Sequence, residues 1–276
     1  MHKAALASLH LPGTYDLIDC PPQHLAGIVA QLRTSYQGFN VTIPHKQAIM
    51  PLLDELTMEA RIVRAVNTVK VEKSGKMIGH NTDTEGFLTS LKATAGSGFI
   101  FPCVCLIGSG GAARAALWSV TRIGAQQVVI VARTLREARS MKDEITEQSR
   151  SAPQIVLRSP GEALNTQAPT LIVNCTPIGL SGDATPAWIT SIMQSALRGP
   201  RTPVFFDMVY SRSNEPTPLV KQALAMGLKA CDGLQMLVEQ AAASFEFFTG
   251  LKVTSAVMSS ALAQQESSSS SSSKNR

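Results

Sequence analysis

The residues best suited to chemistry are Gly108-Ser109-Gly110-Gly111-Ala112-Ala113, set between the apolar run Val104, Leu106, Ile107 and an alanine-rich helical stretch. A glycine at 108 suits a sharp exit from a strand. A glycine at 110 lets backbone approach a pyrophosphate closely, and the small Ala113 permits tight helix–strand packing. A phosphate would rest on the N–H groups of Gly108 to Ala112, at the positive end of the helix that follows. Gly124 closes that helix before a second apolar run, Val128 to Val131. Cys103 to Thr134 therefore reads as strand, glycine turn, helix, strand, the context in which a G-x-G-x-x-A pattern means a dinucleotide.

The end of the second strand selects the dinucleotide. An acid there would accept from the 2′-hydroxyl of an NAD ribose. This chain has Ala132-Arg133-Thr134 with Arg136 close behind, and its first acid is Glu137. A guanidinium grips a 2′-phosphate in a two-pronged fashion and stacks on adenine. The expected cofactor is NADP, held by Gly108, Ser109, Gly110, Gly111, Ala112, Arg133, Thr134 and Arg136.

Around this unit the pattern is α/β. Met1 to Leu11 reads as a short helix and Thr14 to Asp19 as a strand. Leu25 to Leu32 carries apolar residues at 25, 28, 29 and 32, the stripe of an amphipathic helix. A strand over Gly38–Ile43 runs into Pro44-His45-Lys46, and Ala48–Ala60 reads as helix. Strands over Ala65–Val71 and Met77–Gly79 flank a Ser74-Gly75 turn, and a helix over Thr84–Ala93 leads to a Gly96-Ser97-Gly98 hinge. After Arg133 come a helix over Leu135–Gln148 and strands over Gln154–Leu157, Thr170–Cys175 and Val204–Val209. A helix over Leu219–Met226 and a strand over Leu228–Cys231 follow. Helices over Leu234–Phe248 and Val253–Ala263 end the pattern. The later strands lack clean alternation, which suits parallel strands covered on both faces. There is no internal repeat, and the seven serines Ser267–Ser273 are expected to be disordered.

A chain of 276 residues can build two modest cores, and 44% hydrophobic with 16% charged residues describes a soluble globular enzyme more than a disordered or fibrous protein. The net charge of +5 is scattered, so no nucleic-acid partner is expected. Five cysteines with no CxxC pair suggest buried thiols in a reducing compartment, without disulfide or metal. No apolar run approaches the roughly 18 residues of a membrane span, and no secretion signal is evident, so a cytoplasmic location is expected.

Four stretches together resemble the shikimate dehydrogenase family of shikimate/quinate-type NAD(P) oxidoreductases. They are Gly38-Phe39-Asn40-Val41-Thr42-Ile43-Pro44-His45-Lys46, Ala65-Val66-Asn67-Thr68, Gly79-His80-Asn81-Thr82-Asp83-Thr84-Glu85-Gly86, and Asp232 to Gln240. The resemblance covers nearly all of the chain to about Ala263. It implies an N-terminal α/β substrate-binding domain (1–95) and a doubly wound Rossmann-type NADP domain (96–232). Helices over 233–263 would return to the first domain, a tail over 264–276 would follow, and the active site would lie in the cleft between the domains.

The resemblance maps a catalytic pair onto Lys46 and Asp83. A lysine can supply the proton needed when a ring ketone is reduced, and a carboxylate beside it would hold the ammonium. Asn67, Asp83 and Gln240, with Thr42 and Tyr210 near them, would contact substrate hydroxyls. Asn174, Thr176, Met208 and Gly233 would lie along the cofactor. The implied reaction is reversible, NADPH-dependent reduction of 3-dehydroshikimate to shikimate by a monomer or homodimer. A catabolic quinate/shikimate enzyme and a weakly active or ligand-sensing relative are the alternatives.

Two departures stand out. The family carries a strand, a glycine turn and a Ser-x-Ser anchor for the substrate carboxylate ahead of the segment resembling His2-Lys3-Ala4-Ala5. A chain starting after that point is expected to bind NADP normally and to use shikimate poorly. The other departure is Arg64, where the family usually has glycine before its AVNT segment. Ala132, in place of a common Asn, is a milder change.

Overall fold

The structure is a computed structural model and describes residues 1–262 except positions 97, 150, 182, 183 and 212–214. The serine-rich segment and Ser97 of the glycine pair lie outside the described residues. The chain divides into two compact units, Met1–Gly86 with Leu237 onward, and Phe87–Met236.

The first unit opens with α1 (His2–Ser8), α2 (Leu25–Ser35) and β1 (Gly38–Asn40). Then come β2 (Glu55–Leu56), α3 (Met58–Val63), β3 (Thr68–Val71), β4 (Met77–His80) and the start of α4 (Asp83–Ala95). Its sheet has the order β1-β3-β4-β2. The first three strands of that order are antiparallel, while β2 runs parallel to β4. Leu25, Val29, Val41, Ile49, Ala60, Val66, Val69, Val71 and Met77 form its core.

Two sequence expectations fail in this unit. Thr14–Asp19 enters no ladder; its chain is tied by side chains instead, with Tyr15 stacked on His2 and Tyr15 Oη donating to Asn40 Oδ1 at 2.6 Å. Ala48–Ala60 is not one helix. Pro51 lies in a short 3-10 turn, Met50–Leu52, where its missing N–H costs nothing. Asp54 then accepts from Met77 N at 2.7 Å, and the chain peels away to pair β2 with β4. Thr57 caps α3 by accepting from Ala60 N.

The second unit takes up the rest of α4, then β5 (Cys103–Ile107), α5 (Gly111–Arg122), β6 (Gln127–Val131) and α6 (Leu135–Thr146). It continues with β7 (Gln154–Arg158), β8 (Leu171–Asn174), α7 (Ala187–Leu197), β9 (Val204–Asp207), α8 (Pro218–Ala225) and β10 (Lys229–Cys231). All strand pairs of its sheet are parallel. Read from its far edge the order is β7-β6-β5-β8-β9-β10, the 3-2-1-4-5-6 order of doubly wound dinucleotide-binding sheets. Alternate strand residues face two cores. Leu106, Ile130, Val173 and Phe206 pack with α4, α5 and α6, while Ile107, Val129, Ile172 and Phe205 pack with α7 and α8. Burial on both faces explains the missing alternation in these strands. Helix α7 has no counterpart among the sequence expectations, although Ile189, Ile192, Met193 and Ala196 give it a buried helical stripe.

The chain returns to the first unit within α9 (Leu234–Thr249), and a last helix, α10, covers 255–262. Val238 and Phe245 of α9 pack with Ala5 of α1 and Met258 of α10.

Candidate active site

Lys46 lies on the turn after β1, and its backbone carbonyl accepts from Val66 N at 2.7 Å, fixing the turn to the segment that leads into β3. Its Nζ donates to Asp83 Oδ2 at 2.5 Å. Asp83 is the first residue of α4, so its charge sits at the positive end of a helix. Asn81 orients that end: its Oδ1 accepts from Asp83 N at 3.0 Å, and its Nδ2 donates to Ala65 O at 2.9 Å. The Lys46 side chain keeps 17% of its surface open, against 7% for Asp83. The lysine side chain is therefore the more open member of the pair, while its carboxylate partner stays enclosed.

Asn67 binds this pair to two further groups. Its Nδ2 donates to Asp83 Oδ1 at 2.8 Å and Thr82 Oγ1 at 3.0 Å, with a longer contact of 3.4 Å to Gln240 Oε1. Its Oδ1 accepts from Thr82 N at 2.8 Å and from Thr68 Oγ1 at 3.0 Å. Lys46, Asp83, Asn67 and Gln240 thus converge in one network, although they come from four separate segments. Thr42 is exposed, and its carbonyl accepts from His45 N. Tyr210 follows β9 in the second unit and is half-buried.

Sequence reasoning misses the layer behind these residues. Ser244 Oγ donates to Gln240 O at 2.9 Å, meets Thr68 Oγ1 at 2.8 Å and Thr82 Oγ1 at 3.2 Å, and accepts from Asn40 Nδ2 at 2.9 Å. Its signal is available, because a polar residue four positions after Gln240 on an apolar helix shares the same face. Tyr15, bonded to Asn40, is buried enough that its hydroxyl pKa is pushed up to about 12.

The second unit builds a different cradle. Gly108 has φ +118°, and a Cβ there would press on Thr176 Cγ2 and the Cys175 carbonyl. This is the end of the neighbouring strands β5 and β8, between which the strand order reverses. A Cβ on Gly110 would meet nothing within 4 Å, so the space before α5 is open to a ligand. Among the described residues no side chain caps α5, and no acid occupies its first turn. That is the donor set an anion requires. Ser109 is half-buried and Gly110 exposed, with Gly111 and Ala112 partly covered beyond them. Arg133, Thr134 and Arg136 are exposed after β6, and Ala132 is buried, with its N–H donating to Arg158 O at 3.0 Å.

At the ends of β8 and β9, Asn174 Nδ2 donates to Asp207 Oδ1 at 2.8 Å, and Asn174 Oδ1 accepts from Thr176 Oγ1 at 2.6 Å. Asp207 also accepts from Thr217 Oγ1 at 2.6 Å and Val209 N at 3.1 Å. Burial still outweighs these bonds and pushes its carboxyl up to about 6. Met208 N donates to Asn174 O, and Gly233 N to Val209 O. Gly233 leaves no room for a side chain because its Cβ would strike the Met208 carbonyl. Burial raises the thiols of Cys103 and Cys231 to about 11 and those of Cys105 and Cys175 further.

Arg64 caps α3 in the left-handed region, φ 52° and ψ 42°, and is exposed. That geometry explains a glycine preference at this position on backbone grounds.

Strand order and anion cradle define a Rossmann-type α/β protein with an additional α/β unit that carries a lysine–carboxylate pair. Residues 1–69 match the shikimate dehydrogenase substrate binding domain, and residues 233–262 match the shikimate 5′-dehydrogenase C-terminal domain. A shikimate dehydrogenase (NADP(+)) of Magnetococcus marinus is 33% identical over 265 residues, covering 96% of this chain and 90% of the relative. The crystal structure of shikimate 5-dehydrogenase from Thermus thermophilus with NADP(H) and shikimate superposes with a TM-score of 0.77 at 32% identity. It covers 95% of this chain and 92% of the other. Shikimate 5-dehydrogenase from Listeria monocytogenes, solved with shikimate and NAD, gives a TM-score of 0.80 at 26% identity over 95% and 90% of the two chains. The chain belongs to the shikimate dehydrogenase family.

Proposed function

We propose that this protein is an NADP-linked oxidoreductase that interconverts shikimate and 3-dehydroshikimate. The observation that carries this reading is the Lys46–Asp83 pair, joined by Asn67 to Gln240 in one hydrogen-bonded network. We assign substrate binding to the first unit and cofactor binding to the second. Gly108 to Ala112 would hold the pyrophosphate and Arg133, with Thr134 and Arg136, the 2′-phosphate. Asn174, Thr176, Met208 and Gly233 would border the nicotinamide.

NADPH, when held by these residues, would supply the hydride for the carbonyl carbon. Lys46 delivers a proton from Nζ to the carbonyl oxygen as negative charge develops there. Asp83 holds the ammonium in place, and its second oxygen is fixed by Asn67. Solvent then restores the proton, since Lys46 keeps an open face. In the oxidation direction the order reverses: Nζ first gives a proton to solvent, and the neutral amine then takes the hydroxyl proton. Asn67, Asp83 and Gln240, with Thr42, give the substrate hydroxyls directed partners, which reject analogues lacking them. We place this activity in the cytosol, consistent with five free thiols.

The test is a two-by-two assay, shikimate or quinate against NADP+ or NAD+. The reading expects shikimate with NADP+ to give the highest kcat/KM. Preference for quinate would assign a catabolic role, and no turnover of either acid would overturn the reading.

A further inference from the structure

The cofactor cradle contains one group that neither the phosphate loop nor the arginines explain. Glu137, in the first turn of α6, accepts from Ser109 Oγ at 3.4 Å. The contact brings a carboxylate from the helix after β6 to the glycine loop after β5. In sheets of this strand order the adenosine ribose lies beside the end of that second strand, where an acid accepts from its hydroxyls. Arg133, Arg136 and Arg139 are exposed around the same helix start. The ribose site therefore combines cations suited to a 2′-phosphate with one anion suited to a 2′-hydroxyl.

We propose that Glu137 is a specificity-determining residue that limits the preference for NADP and admits NAD as a working cofactor. The inference rests on the cofactor reading above and deepens it. A carboxylate and a 2′-phosphate repel, while the ribose 2′-hydroxyl of NAD can donate to Glu137 in place of Ser109. The arginines tighten one cofactor and Glu137 the other, so the ratio of affinities is set by their difference.

Glu137 is exposed, so substitution leaves the core untouched. Titration calorimetry of NADP+ and NAD+ into the parent and E137A, at low and at high salt, tests the proposal. At low salt E137A should bind NADP+ about 5- to 20-fold more tightly, the size of like-charge repulsion across several ångströms near a protein surface. It should bind NAD+ more weakly by about 3- to 10-fold, the net value of one ordinary hydrogen bond at an exposed site. The NADP+ gain should shrink at high salt, as a screened charge effect must. An affinity ratio unchanged by E137A, or an NADP+ gain insensitive to salt, would overturn the role of Glu137 alone. A parent that binds NAD+ but not NADP+ would overturn the cofactor reading as well.

Discussion

Asp207 offers a test of the physical account that needs no ligand. It is fully buried at the end of β9, and burial raises its carboxyl from 3.8 to about 6. A carboxyl with a raised folded-state pKa stabilises the fold fully below its unfolded value and loses that contribution as pH rises through the folded value. The loss therefore falls between 3.8 and about 6. A rise of that size is worth about 3 kcal/mol at most. Asn at 207 would imitate the protonated acid without titrating. Its Oδ1 can accept from Asn174 Nδ2 and Val209 N as before, and the Thr217 hydroxyl can turn to accept from the new amide. Asp207→Asn should match the parent near pH 4 and exceed its stability by about 1–3 kcal/mol at pH 8. Buried His2, lowered to about 4, and His80, also lowered, contribute stability that is present above their usual 6.5 and lost on acidification. Both are common to the two proteins and cancel in the difference. Urea unfolding across this pH range is the assay. A variant less stable than the parent at pH 8, or a difference that does not change with pH, would refute the reasoning.

Three further substitutions probe other links. Asp83→Asn places an amide NH2 against either Lys46 Nζ or Asn67 Nδ2, whichever way it flips. It should cost about 1–3 kcal/mol of stability and lower kcat by roughly 10²-fold or more, and a near-parent kcat would contradict the assigned role. Compared with Arg64→Ala, which removes the same side chain, Arg64→Gly relieves a left-handed backbone cost of about 1–2 kcal/mol against an unfolded-state cost of about 0.5–1. A urea midpoint modestly above that of Arg64→Ala is expected, and a lower one would contradict it. Arg133→Ala should shift the NADP+ to NAD+ affinity ratio by roughly 10- to 150-fold; an unshifted ratio measured by calorimetry would contradict a phosphate contact.

The glycine loop and its flanking strands are legible because their residue types have few other uses in that order, and the βαβ unit is local in sequence. Thr14–Asp19 misleads because its pattern suggests extended chain but cannot supply a ladder partner; Tyr15 bonds across to Asn40 instead. Pro51 marks a break in its helical pattern, yet β2 forms only through the distant backbone of β4, which no local signal reveals. Helix α7 escapes the sequence reading despite a readable stripe at 189, 192, 193 and 196. In the candidate site, Lys46, Asp83, Asn67 and Gln240 can be named from their motifs. Behind them, Ser244 carries a signal in its i+4 spacing from Gln240, but Asn40, Thr68 and Thr82 cannot be assigned to that layer, because hydroxyls and amides that bond one another look individually like ordinary strand-end residues. In sequence Glu137 is only the first acid after Arg133; its contact with Ser109 requires the fold.

The central claim is that Lys46 moves the proton during turnover, and one measurement tests it most directly. Steady-state oxidation of shikimate with NADP+ by the parent and by Lys46→Ala gives kcat, and direct titration of shikimate gives its Kd for each protein. The account predicts a kcat lowered by roughly 10²–10⁴ with a much smaller change in Kd. A Lys46→Ala enzyme that turns over at nearly the parent rate would contradict it.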